Sequence, residues 1–550
     1  MEQIVKTEQN TAAGAPVFNA VPAVLPGDPS SRNLARAVSH YIQGDSARAL
    51  QALEGAEAGA TESNLTEITA ARAHLQFELQ RYEEAAASYT RLALLRPQDS
   101  DVRSSLGLCL QNLGRHAEAV ESFRQALVLG AKPLEMQLAI GASLLHLNEP
   151  QEAREAFDAA LARVPDNEAA MFGKAVALQM GWEFEEAAAL YQRILDRNPK
   201  AEDSLVNMIS LSLQRKDYAM VRSYAERLLV IRPDARPALE GLTVAAFARD
   251  DFESAAQHAL RLTELAPSVY NDWFNLGVAC QKMGRLQDAI QAYQKARDIR
   301  EEAIYAHVNL GVVYLELEDL NQARACFERA IQIAPDRDDL RFQVAWMAER
   351  QGQLDEAEAM YAKLVEKTPA LENAWFRLGY LRLQRGDNAG SIAAFEACLA
   401  RQPDWPEAEI NLGMAHSNAG HYDRADAVLQ KLLWRHPESV EALRGLAAIA
   451  LKRDDREKGL KYHRSLIDAG VATPEVLYNT GLLSQQLNNP ESAERFYRLA
   501  LEARPDFAEA KLNLGHVLES LGKKEEARTC WVQALEVKPE LAHGYFRRTA

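Results

Sequence analysis

The chain has 550 residues, 47% of them hydrophobic and 25% charged, so it can bury an extensive core and is long enough for several domains or one long array. Its formal net charge of −16 repels phosphate backbones unless a basic stripe overrides it, which sets the chain against nucleic acid as a partner. Five scattered cysteines, an odd number without a CxxC pair, predict reduced thiols in the cytoplasm rather than a disulfide framework or a zinc site.

The first 29 residues read as a disordered tail. Glu2, Lys6 and Glu8, with Pro16, Pro22 and Pro26 interrupting the apolar part, make a poor secretory signal. No run of eighteen apolar residues follows anywhere, so no membrane-spanning helix is expected. Residues 30–65, with "YIQGDSARALQAL", read as a degenerate helical hairpin two residues out of phase with what comes next.

From Pro97 onward the chain keeps a strict period of 34. Of the fourteen positions from 97 to 539 at that step, eleven are proline; the exceptions are Ala131, Glu301 and Val471. Placing the proline thirty-second divides residues 66–541 into fourteen in-register repeats without an insertion. The twentieth position is alanine in eleven repeats, the eighth is glycine in eight, and the twenty-fourth is aromatic in ten. Each repeat carries two apolar stripes of helical period split by a turn such as "MGRLQD" at 283–288. Proline stops the second helix, and the small residues let the two helices approach closely. One such unit cannot bury its own apolar face, so stability must come from stacking neighbours.

Two stretches break the markers. Repeats 202–235 and 236–269 lack both glycine and aromatic, and repeat 440–473 has Gly459, His463 and Val471 at marker positions. These are expected to be softer joints. The final residues 542–550 read as a partial repeat or cap.

This pattern resembles the tetratricopeptide repeat (TPR) family over residues 66–541, and from about 30 in weaker form. The resemblance implies an all-α, right-handed superhelical solenoid of fourteen to fifteen helix-turn-helix repeats. It also implies that the first helix of each repeat lines a concave groove through its second, fifth, sixth, ninth, twelfth and thirteenth positions. On that basis the sixth position offers Asn275, Asn309, Gln343, Arg377, Asn411, Asn479 and Asn513. Amides carry donors and an acceptor and can hold an extended backbone. A similar asparagine ladder occurs in the repeat domain of O-linked N-acetylglucosamine transferases. The fifth and ninth positions add Phe274, Phe342, Trp346, Phe376, Tyr380 and Met414, an apolar surface that is unfavourable left bare. Arg377 beside them could take a carboxylate or a backbone carbonyl. Co-chaperones of the family need lysine at the fifth position; here that position is mostly apolar, against chaperone-tail binding. Acidic residues at the second position of nine repeats could attract a basic ligand, but in the first turn they are expected chiefly to stabilise helix N-termini.

No catalytic motif is present: no GxGxxG, P-loop, HExxH, GxSxG or EF-hand loop. The expectation is a non-catalytic scaffold or adaptor that binds a protein or peptide segment, with no cofactor, no metal and no catalytic residue. The alternatives are the recognition arm of a transferase whose catalytic domain lies elsewhere, and a protein that assembles with itself.

Overall fold

The computed structural model describes residues 29–542 except 58, 59 and 61. The expected tail, most of the expected cap and part of the loop after the first hairpin therefore lie outside the described residues. Among the described residues there are thirty α-helices, one 3-10 turn and no strand. The helices pair into fifteen consecutive hairpins, from Pro29–Ile42 with Ser46–Glu57 to Ala508–Ser520 with Lys524–Val537. The chain divides into two compact bodies, Met1–Ile299 and Arg300–Ala550.

Local chemistry sets the helix ends. In all fourteen repeats the fifteenth residue adopts positive φ, and in eight of them it is not glycine: Gln80, Asn148, Trp182, Lys216, Asp250, Glu318, Asp454 and Asn488. The turn closes the first helix by the paired bonds of a Schellman cap. In the second repeat Arg115 N–H donates to the Leu110 carbonyl and Gly114 N–H to that of Gln111. The next residue is often an aspartate that caps the second helix; Asp217, Asp251, Asp319, Asp387 and Asp455 each accept from the backbone N–H three residues on.

The second helix stops in two main ways, the repeat with Glu301 using neither. Most repeats use the proline. Where Ala131 and Val471 replace it, the preceding residues are Gly130 and Gly470 at φ of +94° and +86°. There Ala131 N–H donates to the Ala126 carbonyl and Val471 N–H to that of Leu466. A left-handed glycine has taken over the stop, and Pro133 and Pro474 then open the following helices.

The marker residues meet inside each hairpin. The ring at the twenty-fourth position lies flat on the glycine at the eighth: a Cβ at Gly107 would stand 2.4 Å from a Phe123 ring carbon, and one at Gly277 would stand 2.6 Å from Tyr293. In four of the five repeats where that ring is tyrosine, its hydroxyl donates to the twelfth residue: Tyr191–Gln179 (3.2 Å), Tyr293–Gln281 (2.9 Å), Tyr361–Glu349 (3.1 Å) and Tyr497–Gln485 (2.8 Å).

The repeats without markers are repacked. In 202–235 the bulk is inverted: Ile209 and Val221 are large where glycine and alanine are usual, Ala225 is small where a ring is usual, and all three are buried. A tyrosine moves one position earlier, and the Tyr224 hydroxyl donates to Gln192 of the preceding hairpin (3.1 Å). Repeat 440–473 makes the same shift: Gln430 donates to the Tyr462 hydroxyl (3.3 Å).

One joint is built to respond to acid. The rings of His116 and His146, on successive hairpins, stack at 4.4 Å and are parallel within 2°. Burial holds both imidazoles below their usual pKa, and for His116 the neighbouring ring adds to it. The unfolded chain therefore binds these protons first. Stability is full above about pH 6.5 and falls as pH drops from there toward the lowered folded values. Hydrogen exchange at pH 7.5 and 5.5 is expected to show protection of residues 100–167 falling with acid in the native chain. In His116→Phe, which retains a stacked ring without a proton site, that fall should be smaller; an equal fall would contradict the assignment.

Candidate functional site

Curvature decides which surface is available. In the body Met1–Ile299, first helices of successive hairpins touch one another, as Ser100–Asn112 does Pro133–His146 and Glu202–Gln214 does Arg236–Phe247. In the body Arg300–Ala550, Glu372–Gln384 likewise touches Pro406–Asn418, which touches Val440–Lys452. Successive second helices show no comparable contact. Where first helices touch in this way and the second helices do not, the hairpins curve with the first-helix surface on the concave side.

Four consecutive first helices carry the most coherent array on that surface: Ile304–Glu316, Asp338–Arg350, Glu372–Gln384 and Pro406–Asn418. Their ninth positions form an apolar row, Val312, Trp346, Tyr380 and Met414. The first three are half-buried and Met414 is 46% exposed. The Arg350 guanidinium lies over the Trp346 ring at 5.5 Å. Beside this row run the sixth positions, Asn309, Gln343, Arg377 and Asn411, all half-buried. Gln343 and Asn411 make no side-chain hydrogen bond among the described residues, so their amides keep donors and acceptors for another chain.

The fifth-position aromatics are not bare. Phe342 tilts onto Tyr361 (5.6 Å); Phe376 meets Phe395 edge-on (5.8 Å) and stacks on Trp405 (4.6 Å, 16°). In the other body Phe274 does the same with Tyr293 and Tyr270 (both 5.6 Å). The fifth position looks toward the hairpin's own second helix, so these rings are partly consumed by internal packing.

Arg377 is engaged within the chain. It donates to Glu349 (3.2 Å), whose side chain is only 14% exposed and accepts from the Tyr361 hydroxyl as well. Burial, with Glu349 adding to it, pushes the Tyr361 phenol well above its usual range. A carboxylate for Arg377 is thus supplied from within the chain, and leaving Glu349 alone at that depth would be unfavourable. Of the remaining amides, Asn513 donates to the Tyr478 hydroxyl (2.9 Å), while Asn275 and Asn479 are half-buried with no side-chain hydrogen bond among the described residues. Gly445 stands in the sixth position between Asn411 and Asn479, so the amide row is interrupted there. Sequence reasoning overlooked Trp405, which shields Phe376, and Glu349, which engages Arg377.

A separate cleft of about 380 Å³ opens between hairpins 236–269 and 270–303, lined by Leu260, Trp273, Leu276, Arg285 and Ala292 among others. Ala292 occupies the twenty-third position, which Tyr224 and Tyr462 fill in the repacked hairpins. The Trp273 indole donates to the Pro267 carbonyl (2.9 Å), and Arg285 is paired with Asp288 (2.7 Å). Among the described residues no group of three or more His, Cys, Asp or Glu side chains is arranged to hold a metal. No helix there is long and apolar enough to cross a membrane.

Models of the tetratricopeptide repeat match residues 70–134, 138–202, 266–336, 302–367, 345–406, 382–450 and 478–540. Between these matches, 135–137, 203–265 and 451–477 are left uncovered, the last two lying largely in repacked hairpins. Solved structures similar to this chain include YrrB, described as a TPR protein with an unusual peptide-binding site. It is 22% identical over 34% of this chain and 98% of its own, with a TM-score of 0.31. MamA 41-end from Desulfovibrio magneticus RS-1 is 20% identical over 31% of this chain and 96% of its own (TM-score 0.29). A chain of the APC/C hetero-tetramer Cut9–Hcn1 is 15% identical over 93% and 94% (TM-score 0.30). No curated protein matches.

Proposed function

Because this chain belongs to the tetratricopeptide repeat family, whose proteins are generally protein-interaction scaffolds, we propose that it is a non-catalytic scaffold whose first helices between 304 and 418 hold an extended peptide segment of a partner. The observation that carries this reading is the pairing of two rows on consecutive hairpins. Val312, Trp346, Tyr380 and Met414 offer apolar contact, and Gln343 and Asn411 offer unspent amides beside them. Apolar contact supplies affinity, and amides satisfy a backbone whatever its side chains. A cytoplasmic location belongs to the same reading.

The test uses Trp346→Ala with Tyr380→Ala rather than Phe376→Ala, because Phe376 is wedged between Phe395 and Trp405 and its loss would disturb the hairpin. Quantitative capture of the partner identified with the native chain is expected to weaken by about 1–2 kcal/mol or more, with helix content unchanged by circular dichroism. Unaltered affinity in the folded double variant would remove this surface as the binding site.

A further inference from the structure

The cleft between hairpins 236–269 and 270–303 lies within the body Met1–Ile299 and shares no residue with the surface assigned above. Its volume of about 380 Å³ falls within the roughly 300–1,000 Å³ typical of ligand pockets. The second helices Phe252–Leu265 and Leu286–Ile299 supply Ala256, Leu260 and Ala292 to its lining, and the first helix Tyr270–Lys282 supplies Trp273, Leu276 and Cys280. Leu276 and Cys280 are buried, whereas Leu260 is 48% exposed, so the apolar lining continues from the base of the cleft out to water. The indole bond to the Pro267 carbonyl pins Trp273, which makes its ring a preformed wall on which another ring can stack.

The rim carries a carboxylate without an ion pair. At four other joints the acid in the eighteenth position is taken by an arginine at the turn of the next hairpin: Glu185 by Arg215 (3.0 Å), Asp423 by Arg453 (2.7 Å), Asp355 by Arg385 and Glu83 by Arg115 (3.6 Å). Glu253 holds that position beside the cleft. The next turn offers Met283 where three of those arginines stand; Arg285 stands where the fourth does, but pairs with Asp288 (2.7 Å). Among the described residues Glu253 makes no ion pair and accepts only from Gln257 of its own helix (3.4 Å). Glu253 and Asp288 against the single Arg285 leave the rim one negative charge in excess. A cation arriving with a ligand restores the pair that the other joints make internally, and such complementarity selects a partner.

We propose that this cleft is a second binding site, for a partner's segment that presents an aromatic side chain close to an arginine or lysine. The ring fills the space against Trp273 and Leu276, and the cation meets Glu253. Aromatic and arginine side chains are also the ones that carry most of the binding energy at protein interfaces.

The probe is the tripeptide Trp-Gly-Arg, acetylated and amidated, read by saturation-transfer NMR on the full chain. Equally blocked Trp-Gly-Glu and Ala-Gly-Arg, and free tryptamine, are its controls. Trp-Gly-Arg is expected to give a signal several-fold above all three. Glu253→Gln and Leu260→Asn, both at exposed positions, should each lower that signal several-fold with helix content unchanged by circular dichroism. Trp346→Ala with Tyr380→Ala should leave it as it is. A signal no stronger than that of Trp-Gly-Glu or Ala-Gly-Arg, or indifferent to either cleft variant, would overturn the proposal. So would a loss in the Trp346/Tyr380 double variant, which would place the probe on the other surface. Tryptamine equal to the tripeptide would also overturn it, by making the occupant a small aromatic amine instead of a peptide.

Discussion

Phe157→Ala is expected to remove about 3–5 kcal/mol of local stability, the largest effect of any single side chain considered. The ring is 2% exposed and is gripped from both sides. A Cβ at Gly141, in its own hairpin, would lie 2.6 Å from it, and one at Gly173, in the next hairpin, 2.3 Å. Its removal opens a void lined by two glycines that have no side chain to relax into it. Because repeats are coupled to nearest neighbours, the loss should concentrate in residues 134–201 rather than spread through the array. Hydrogen exchange of the full chain reads it hairpin by hairpin. Phe157→Leu should lose less, since Leu429 fills the equivalent slot between Gly413 and Gly445. If both variants lost protection equally, the shape argument would be wrong.

Asp272→Ala should destabilise its joint by about 1.5–3 kcal/mol, the range for a hydrogen bond to a charged group. Asp272 is 3% exposed and accepts from Arg236 of the preceding hairpin at 2.8 and 3.0 Å. A fully buried pair that loses one partner typically gives up about 3–5 kcal/mol. Arg236 is one-third exposed and also pairs with Glu240 (2.7 Å), so the smaller range applies. The double replacement Arg236→Met with Asp272→Leu removes both charges and should recover most of the stability. A double variant as unstable as Asp272→Ala would mean that shape, and not an orphaned charge, is at stake. Protection of residues 236–299 is the measurement.

Part of the cross-hairpin chemistry could have been read from the letters. Four of the five repeats with tyrosine at the twenty-fourth position carry Gln179, Gln281, Glu349 or Gln485 at the twelfth, and three of the four with phenylalanine there carry Leu145, Leu315 or Leu383. A hydroxyl inside the hairpin requires an acceptor, and a bare ring does not. That covariation predicts an acceptor role for Glu349, and with it the diversion of Arg377. Other features left no such trace. That Phe376 stacks on Trp405, or that Tyr224 replaces a missing ring from one position earlier, depends on rotamers and on small rotations between helices.

The sequence by itself determined the helices, their ends and the marker contacts within each hairpin. Proline, left-handed glycine and capping aspartate act within a few residues, and the 34-residue period repeats them without a break. Only the tertiary structure decided which groove side chains remain available to a partner. The pairs that consume Arg377, Phe376 and Asp272 join residues 28–36 apart or on facing helices, where alternative packings of equal volume differ by small energies that no local pattern encodes.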